Sequence, residues 1–86
     1  MDLLKSAMDA FQIPQDTAAR YSSLQIFGNH LVKLENYTRM IDYSPNRLLL
    51  QCKTCQIEIC GKELQILRYS SQELLLDGVI QKVMFL

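Results

Sequence analysis

The 86-residue chain has no tryptophan, one histidine, three glycines and two prolines, and its nine basic residues are cancelled by nine acidic ones. Each shortage removes an explanation. Zero net charge takes away the long-range attraction on which nucleic-acid binders rely. Arg39, Arg47, Lys53, Lys62 and Arg68 are scattered singly and form no basic run. Near-zero charge also favours self-association, so a homo-oligomer is among the expectations. The isolated glycines, Gly28, Gly61 and Gly78, make no phosphate-binding loop. His30 is the sole imidazole, and nothing in the sequence sets it beside a nucleophile, so no catalytic residues are assigned and no enzyme is expected. The longest unbroken apolar run is Val83–Leu86, far short of a membrane span. The opening residues, Met1-Asp2-Leu3-Leu4-Lys5, carry an early acid and no sustained apolar stretch, unlike a secretory leader. The expectation is a soluble, cytoplasmic protein that needs no cofactor.

What is present is enough for one core. The composition is 49% hydrophobic, which argues for a single small folded domain and against disorder. Cys52, Cys55 and Cys60 follow a C-x2-C-x4-C spacing. With His30 they form the candidate metal set, although zinc ordinarily takes four ligands. Ordinary reduced thiols are the preferred reading for a protein that is not secreted. A metal or redox protein built on this cluster stays open as an alternative. A small nucleic-acid-binding β-barrel is another, suggested by Tyr21, Tyr37, Tyr43 and Tyr69 as stacking surfaces.

The pattern changes once along the chain. Leu4, Met8 and Phe11 recur at helical spacing with Leu3 and Ala7 beside them, predicting a helix over 2–12. Asp2 caps it and Pro14 ends it. Asp16 starts a second short helical turn reaching Tyr21. Residues 1–22 are accordingly assigned as a helix and linker packed on the sheet, and 23–86 as the β domain. From residue 23 the period becomes two. Leu48, Leu50 and Cys52 share one face, as do Cys55, Ile57 and Ile59. Short turns separate about eight such strands, too close together for crossover helices. The expected class is therefore all-β, a mainly antiparallel meander rolled or folded into a sandwich or jelly-roll-like unit, with a short β-solenoid as the alternative. Gly28-Asn29, Asn36, Gly61 and Gly78 are read as turn positions. The three glycines lie 33 and 17 residues apart, so a repeat of roughly 17 residues fits one hairpin per unit.

Four stretches in order resemble the YabP/YqfC family of sporulation proteins, most closely its YqfC branch. They are Ile13-Pro14-Gln15-Asp16 after the helical pattern; Ile26-Phe27-Gly28-Asn29 with Leu34-Glu35-Asn36; Ile57-Glu58-Ile59-Cys60-Gly61-Lys62-Glu63-Leu64-Gln65-Ile66; and Leu74-Leu75-Leu76-Asp77-Gly78-Val79-Ile80 with Val83 and Phe85. The sequence departs from the family pattern at Cys55, where a turn glycine is common, and at Tyr37, where a basic residue or histidine is usual. The resemblance implies a non-enzymatic structural or assembly component of endospore envelope (cortex or coat) development. It would act in the mother cell, at the forespore membrane as a peripheral protein. It also implies a protein partner, a YqfD-like sporulation membrane protein.

Overall fold

The computed structural model describes residues 21–86. The helix expected over 2–12 and nearly all of the turn expected at 16–21 fall outside them. Six strands follow: β1 (Ser23–Phe27), β2 (Leu31–Glu35), β3 (Arg39–Ser44), β4 (Arg47–Gln51), β5 (Gln56–Tyr69) and β6 (Glu73–Phe85). They form one sheet in the order β1-β2-β6-β5-β4-β3, and every pairing is antiparallel. The all-β antiparallel expectation holds. The solenoid alternative does not, because stacked coils pair their strands in parallel.

Topology forces this sheet to curl. In a flat sheet β2 and β3 would stand four strand spacings apart, roughly 19 Å. Only Asn36, Tyr37 and Thr38 join them, and Cα to Cα from Glu35 to Arg39 can span no more than about 14 Å. The curl is made in the two long strands. β4 pairs with β5 at 56–60, and β2 pairs with β6 at 73–77. Between those stretches the β5–β6 register slips at Cys60/Gly61 and again between Lys62 and Gln65. Each long strand thus belongs to two half-sheets. One half holds β3, β4, the start of β5 and the end of β6; the other holds β1, β2, the start of β6 and the end of β5.

The inner faces of the halves supply one core. Leu48, Leu50, Cys52, Ile57 and Ile59 come from the first half, and Val32, Leu34, Leu74 and Leu76 from the second. The period-two pattern explains this choice, since alternate residues of a strand point to opposite faces. Leu49, out of phase with that set, is also buried, on the outer face level with Asp42 and Glu58.

Two of the three expected glycine turns need correction. Gly28 does lie in the β1–β2 turn with Asn29, at φ 60°. Asn36 also turns, at φ 62°, after β2. Gly61 and Gly78, however, lie inside β5 and β6, at the bends. The physical reason is close approach of two backbones. A Cβ on Gly61 would sit 2.0 Å from the Val79 carbonyl oxygen, and one on Gly78 would sit 2.8 Å from the Glu63 carbonyl oxygen. Pairing of β5 with β6 therefore resumes beyond both glycines, and four expected strands merge into two, giving six and not eight.

The bends are also where the hairpin tips dock. Gly78 and Ile80 N–H donate to the carbonyl oxygens of His30 (3.0 Å) and Asn29 (2.7 Å). Gly61 and Leu64 N–H donate to those of Asn46 (3.0 Å) and Pro45 (2.8 Å). The two hairpins, β1–β2 and β3–β4, thus hang on equivalent bends, the structural form of the weak repeat. At Gly61 the obstacle is a backbone carbonyl that no side-chain rotation can move. We expect Gly61→Ala to cost more than about 4 kcal/mol, or to abolish folding. Gly28→Ala, which meets nothing within 4 Å, should cost only about 1–2 kcal/mol for its left-handed backbone. Urea denaturation of the two variants checks the contrast.

Candidate interaction surface

Of the residues singled out for chemistry, only Cys52 and Cys55 come together; Cys60 and His30 lie apart from them. Cys52 is buried in the core at the end of β4, and its N–H donates to the Cys55 carbonyl oxygen at 2.8 Å across the tight Lys53-Thr54 connection. Cys55 is half-buried against the same core. Cys60 stands out of phase with Ile59 on the outer face, its Sγ 3.5 Å from Glu58 Oε1. All three are free thiols. His30 lies at the opposite hairpin, where Nδ1 donates to the Gly78 carbonyl oxygen at 3.0 Å. Among the described residues, no three His, Cys, Asp or Glu side chains converge as a metal site would require.

Local electrostatics serves the fold. Arg47 Nε donates to Glu58 Oε2 at 2.7 Å, and Arg47 NH1 lies 3.4 Å from Asp42 Oδ2. These residues sit on the outer face of adjacent strands, where diagonal neighbours reach one another. The Arg47 hydrogen bond holds the Glu58 carboxyl below the usual glutamate range. Arg68 pairs with Glu73 at 3.4 Å, and Lys33 with Glu35 at 3.7 Å. Two of the scattered cations, Arg47 and Arg68, are therefore already engaged within the protein, as is Lys33.

Three of the four tyrosines are engaged within the protein as well. Tyr37 is buried just after the Asn36 turn, its hydroxyl between the carbonyl oxygens of Ser70 and Glu73. Its ring stacks on Tyr69 with centroids 6.0 Å apart, so Tyr37 pins the β2–β3 link over the β5–β6 turn. Burial, then the neighbouring Tyr69, pushes its pKa up. Tyr43 donates to the Leu64 carbonyl oxygen at 2.6 Å, fastening β3 to the bend of β5.

What remains is the rim of the sheet. An edge strand presents unpaired backbone groups, which proteins blunt with charge, proline or bulges. β3 is blunted: Arg39 and Asp42 lie in it, its register shifts between Met40 and Asp42, and Tyr43 anchors it. The end of β6 carries Lys82, and its last apolar residues, Phe85 and Leu86, are 64% and 55% exposed. β1 has none of these devices. Its sequence, Ser-Leu-Gln-Ile-Phe, is uncharged and proline-free, and its register with β2 is uninterrupted. Ile26 and Phe27 are 45% and 53% exposed. The signal for β1 in the sequence is the absence of charge between Ser22 and His30.

These features define a small antiparallel β domain whose polar side chains serve its own stability and whose rim offers unpaired strand. The chain belongs to the YabP family: it matches the family's model over residues 18–86, which takes in the whole sheet. That membership is consistent with a sporulation-associated protein. Comparison with curated proteins and with solved structures gave no match. Among the described residues, no helix is long and apolar enough to cross a membrane.

Two outcomes are expected. Burial pushes the Cys52 thiol up and out of its reactive form, so native protein treated with iodoacetamide should leave Cys52 unmodified until denaturant exposes it. Peptide mass spectrometry reads this. A carboxyl with a lowered folded pKa stabilises the fold above its unfolded pKa and loses that contribution as pH falls through the folded value. Urea midpoints from about pH 7 to about pH 3 should therefore fall less steeply in Glu58→Gln than in wild type.

Proposed function

We propose that this protein is a non-enzymatic assembly module of endospore development, acting in the mother cell on the growing spore envelope by binding another protein. The observation that carries the reading is the family match, which spans the entire β domain. The structure is compatible with it in a specific way. The described cysteines, histidine and carboxylates do not form a reactive cluster, while open strand and apolar side chains lie at the rim. β-strand addition at such a rim gives affinity through main-chain hydrogen bonds and specificity through alternate side chains. Within the family we place the chain in the YqfC branch. Its partner is then a YqfD-like sporulation membrane protein, which would hold this domain peripherally at the forespore membrane.

Deletion of the gene in its host tests the reading. We expect vegetative growth to be unchanged and heat-resistant spores to be lost, with arrest at a defined stage of envelope development seen by thin-section microscopy. A tagged copy should restore spores and recover a membrane protein from detergent extracts of sporulating cells. Full sporulation in the deletion strain, or an equal defect in growing cells, would overturn it.

A further inference from the structure

We infer that β1 pairs antiparallel with β1 of a second copy of this chain, about a two-fold axis at Gln25. The inference rests on the reading of the domain as an interaction module, and it assigns the edge, the register and the partner.

The hydrogen-bond parity of the ladder decides which β1 groups are free. Asn36 N–H donates to the Gln72 carbonyl oxygen and Gly78 N–H to that of His30, in register with Leu31↔Asp77 and Glu35↔Glu73. Even-numbered positions of β2 therefore bond to β6, and odd-numbered ones bond to β1, since antiparallel partners alternate. Their β1 partners are Ser23, Gln25 and Phe27. The N–H and C=O groups of Leu24 and Ile26 point the other way, along the open edge. No hydrogen bond among the described residues outside the strand ladders engages them.

Two outward residues with one between them are self-complementary. A two-fold axis at Gln25 sets Leu24 opposite Ile26 of the second copy and Ile26 opposite its Leu24. Each such pair exchanges both of its backbone hydrogen bonds. Leu24 and Ile26, whose side chains share the core-facing side with their partners Leu34 and Val32, then meet across the axis. Ser23 meets Phe27 and Gln25 meets Gln25 on the outer face, so the exposed Ile26 and Phe27 both gain a neighbour. No charge lies on the strand, so no like charges are opposed, and the chain's zero net charge adds no overall repulsion. The period-two ladder is what the edge requires; residues 2–12 carry helical spacing in sequence and offer no such ladder. A five-residue edge is small against the ~1,200 Å² of a stable interface. The dimer is therefore transient, with a dissociation constant on the order of 100 µM.

The full-length chain at concentrations from about 10 µM to about 1 mM is the sample. Sedimentation equilibrium should show a monomer–dimer equilibrium. Gln25→Lys and Gln25→Glu each set like charges opposite at the axis, and each should shift self-association at least tenfold weaker. An equimolar mixture of the two should restore a heterodimer, with circular dichroism confirming that both are folded. In wild type, amide exchange at Leu24 and Ile26 should slow as concentration rises, while the Gln25 amide, bonded to β2, should not change; this readout stands even if a variant fails to fold. A strict monomer at about 1 mM would overturn the inference and hand the edge to residues 1–20 or to a foreign strand. Variants that dimerise like wild type, or concentration-independent exchange at Leu24 and Ile26, would also overturn it. A monomer leaves the sporulation phenotype of the deletion untouched, and a deletion without phenotype leaves the dimer untouched, so the two readings fail separately.

Discussion

The approach of β5 to β6 at Gly61 and Gly78 is the contact on which the rest of this structure depends. A side chain at either position would drive a Cβ into the opposing backbone. Because both are glycine, two strands of 14 and 13 residues can bend across each other and resume their pairing on the far side. The sheet then becomes its own partner. Leu48, Leu50, Ile57 and Ile59 of one half join Val32, Leu34, Leu74 and Leu76 of the other in a single core, which the described residues form from one sheet.

The same crossing organises the periphery. Bending a strand turns backbone groups away from the ladder, and these must find partners. Here the tips of the two hairpins supply them, Asn29 and His30 on one bend and Pro45 and Asn46 on the other. Glu63, at φ 54°, and Gly78, at φ 143°, absorb the local geometry. Tyr43 and Tyr37 then tie the edge strand and the β2–β3 link to the β5 bend and the β5–β6 turn through carbonyl oxygens at Leu64, Ser70 and Glu73. These tyrosines, glycines and turn residues are thus engaged in holding the fold.

How much of this could be read from residues alone follows from what period two encodes. Alternation placed Leu48, Leu50 and Cys52 together, and Ile57 and Ile59 together, and the structure puts all five in one core. It also set Cys60 out of phase with Ile59, hence away from Cys52 and facing Glu58. Alternation could not separate a turn from a bend. A glycine between two apolar alternations looks the same in both, and only the strand across the ladder decides whether pairing resumes on the far side. Gly61 and Gly78 were misassigned for that reason. The left-handed Glu63 and the bulge at Met40/Asp42 were invisible for a related one: their conformation answers to Gly78 and to β4, not to neighbours in sequence. The candidate metal set is divided for another reason. Close spacing in sequence puts three cysteines within nine positions; Cys52 and Cys55 meet on the core side across a tight connection, while strand alternation turns Cys60 to the opposite face.

The rim shows an asymmetry that stability does not explain. The repeat gives β1 and β3 equivalent places at the two ends of the sheet, and equivalent places carry equal hazard of unwanted pairing. β3 carries a bulge, two charges and a tethered tyrosine. β1 carries nothing of the kind, and its outward backbone groups flank the uncharged Gln25. A glutamate at that position would have blunted the edge at little cost to the core, since Gln25 faces outward opposite Lys33. An edge that is open among the described residues, while its counterpart is closed, is the physical ground for the proposed pairing at β1.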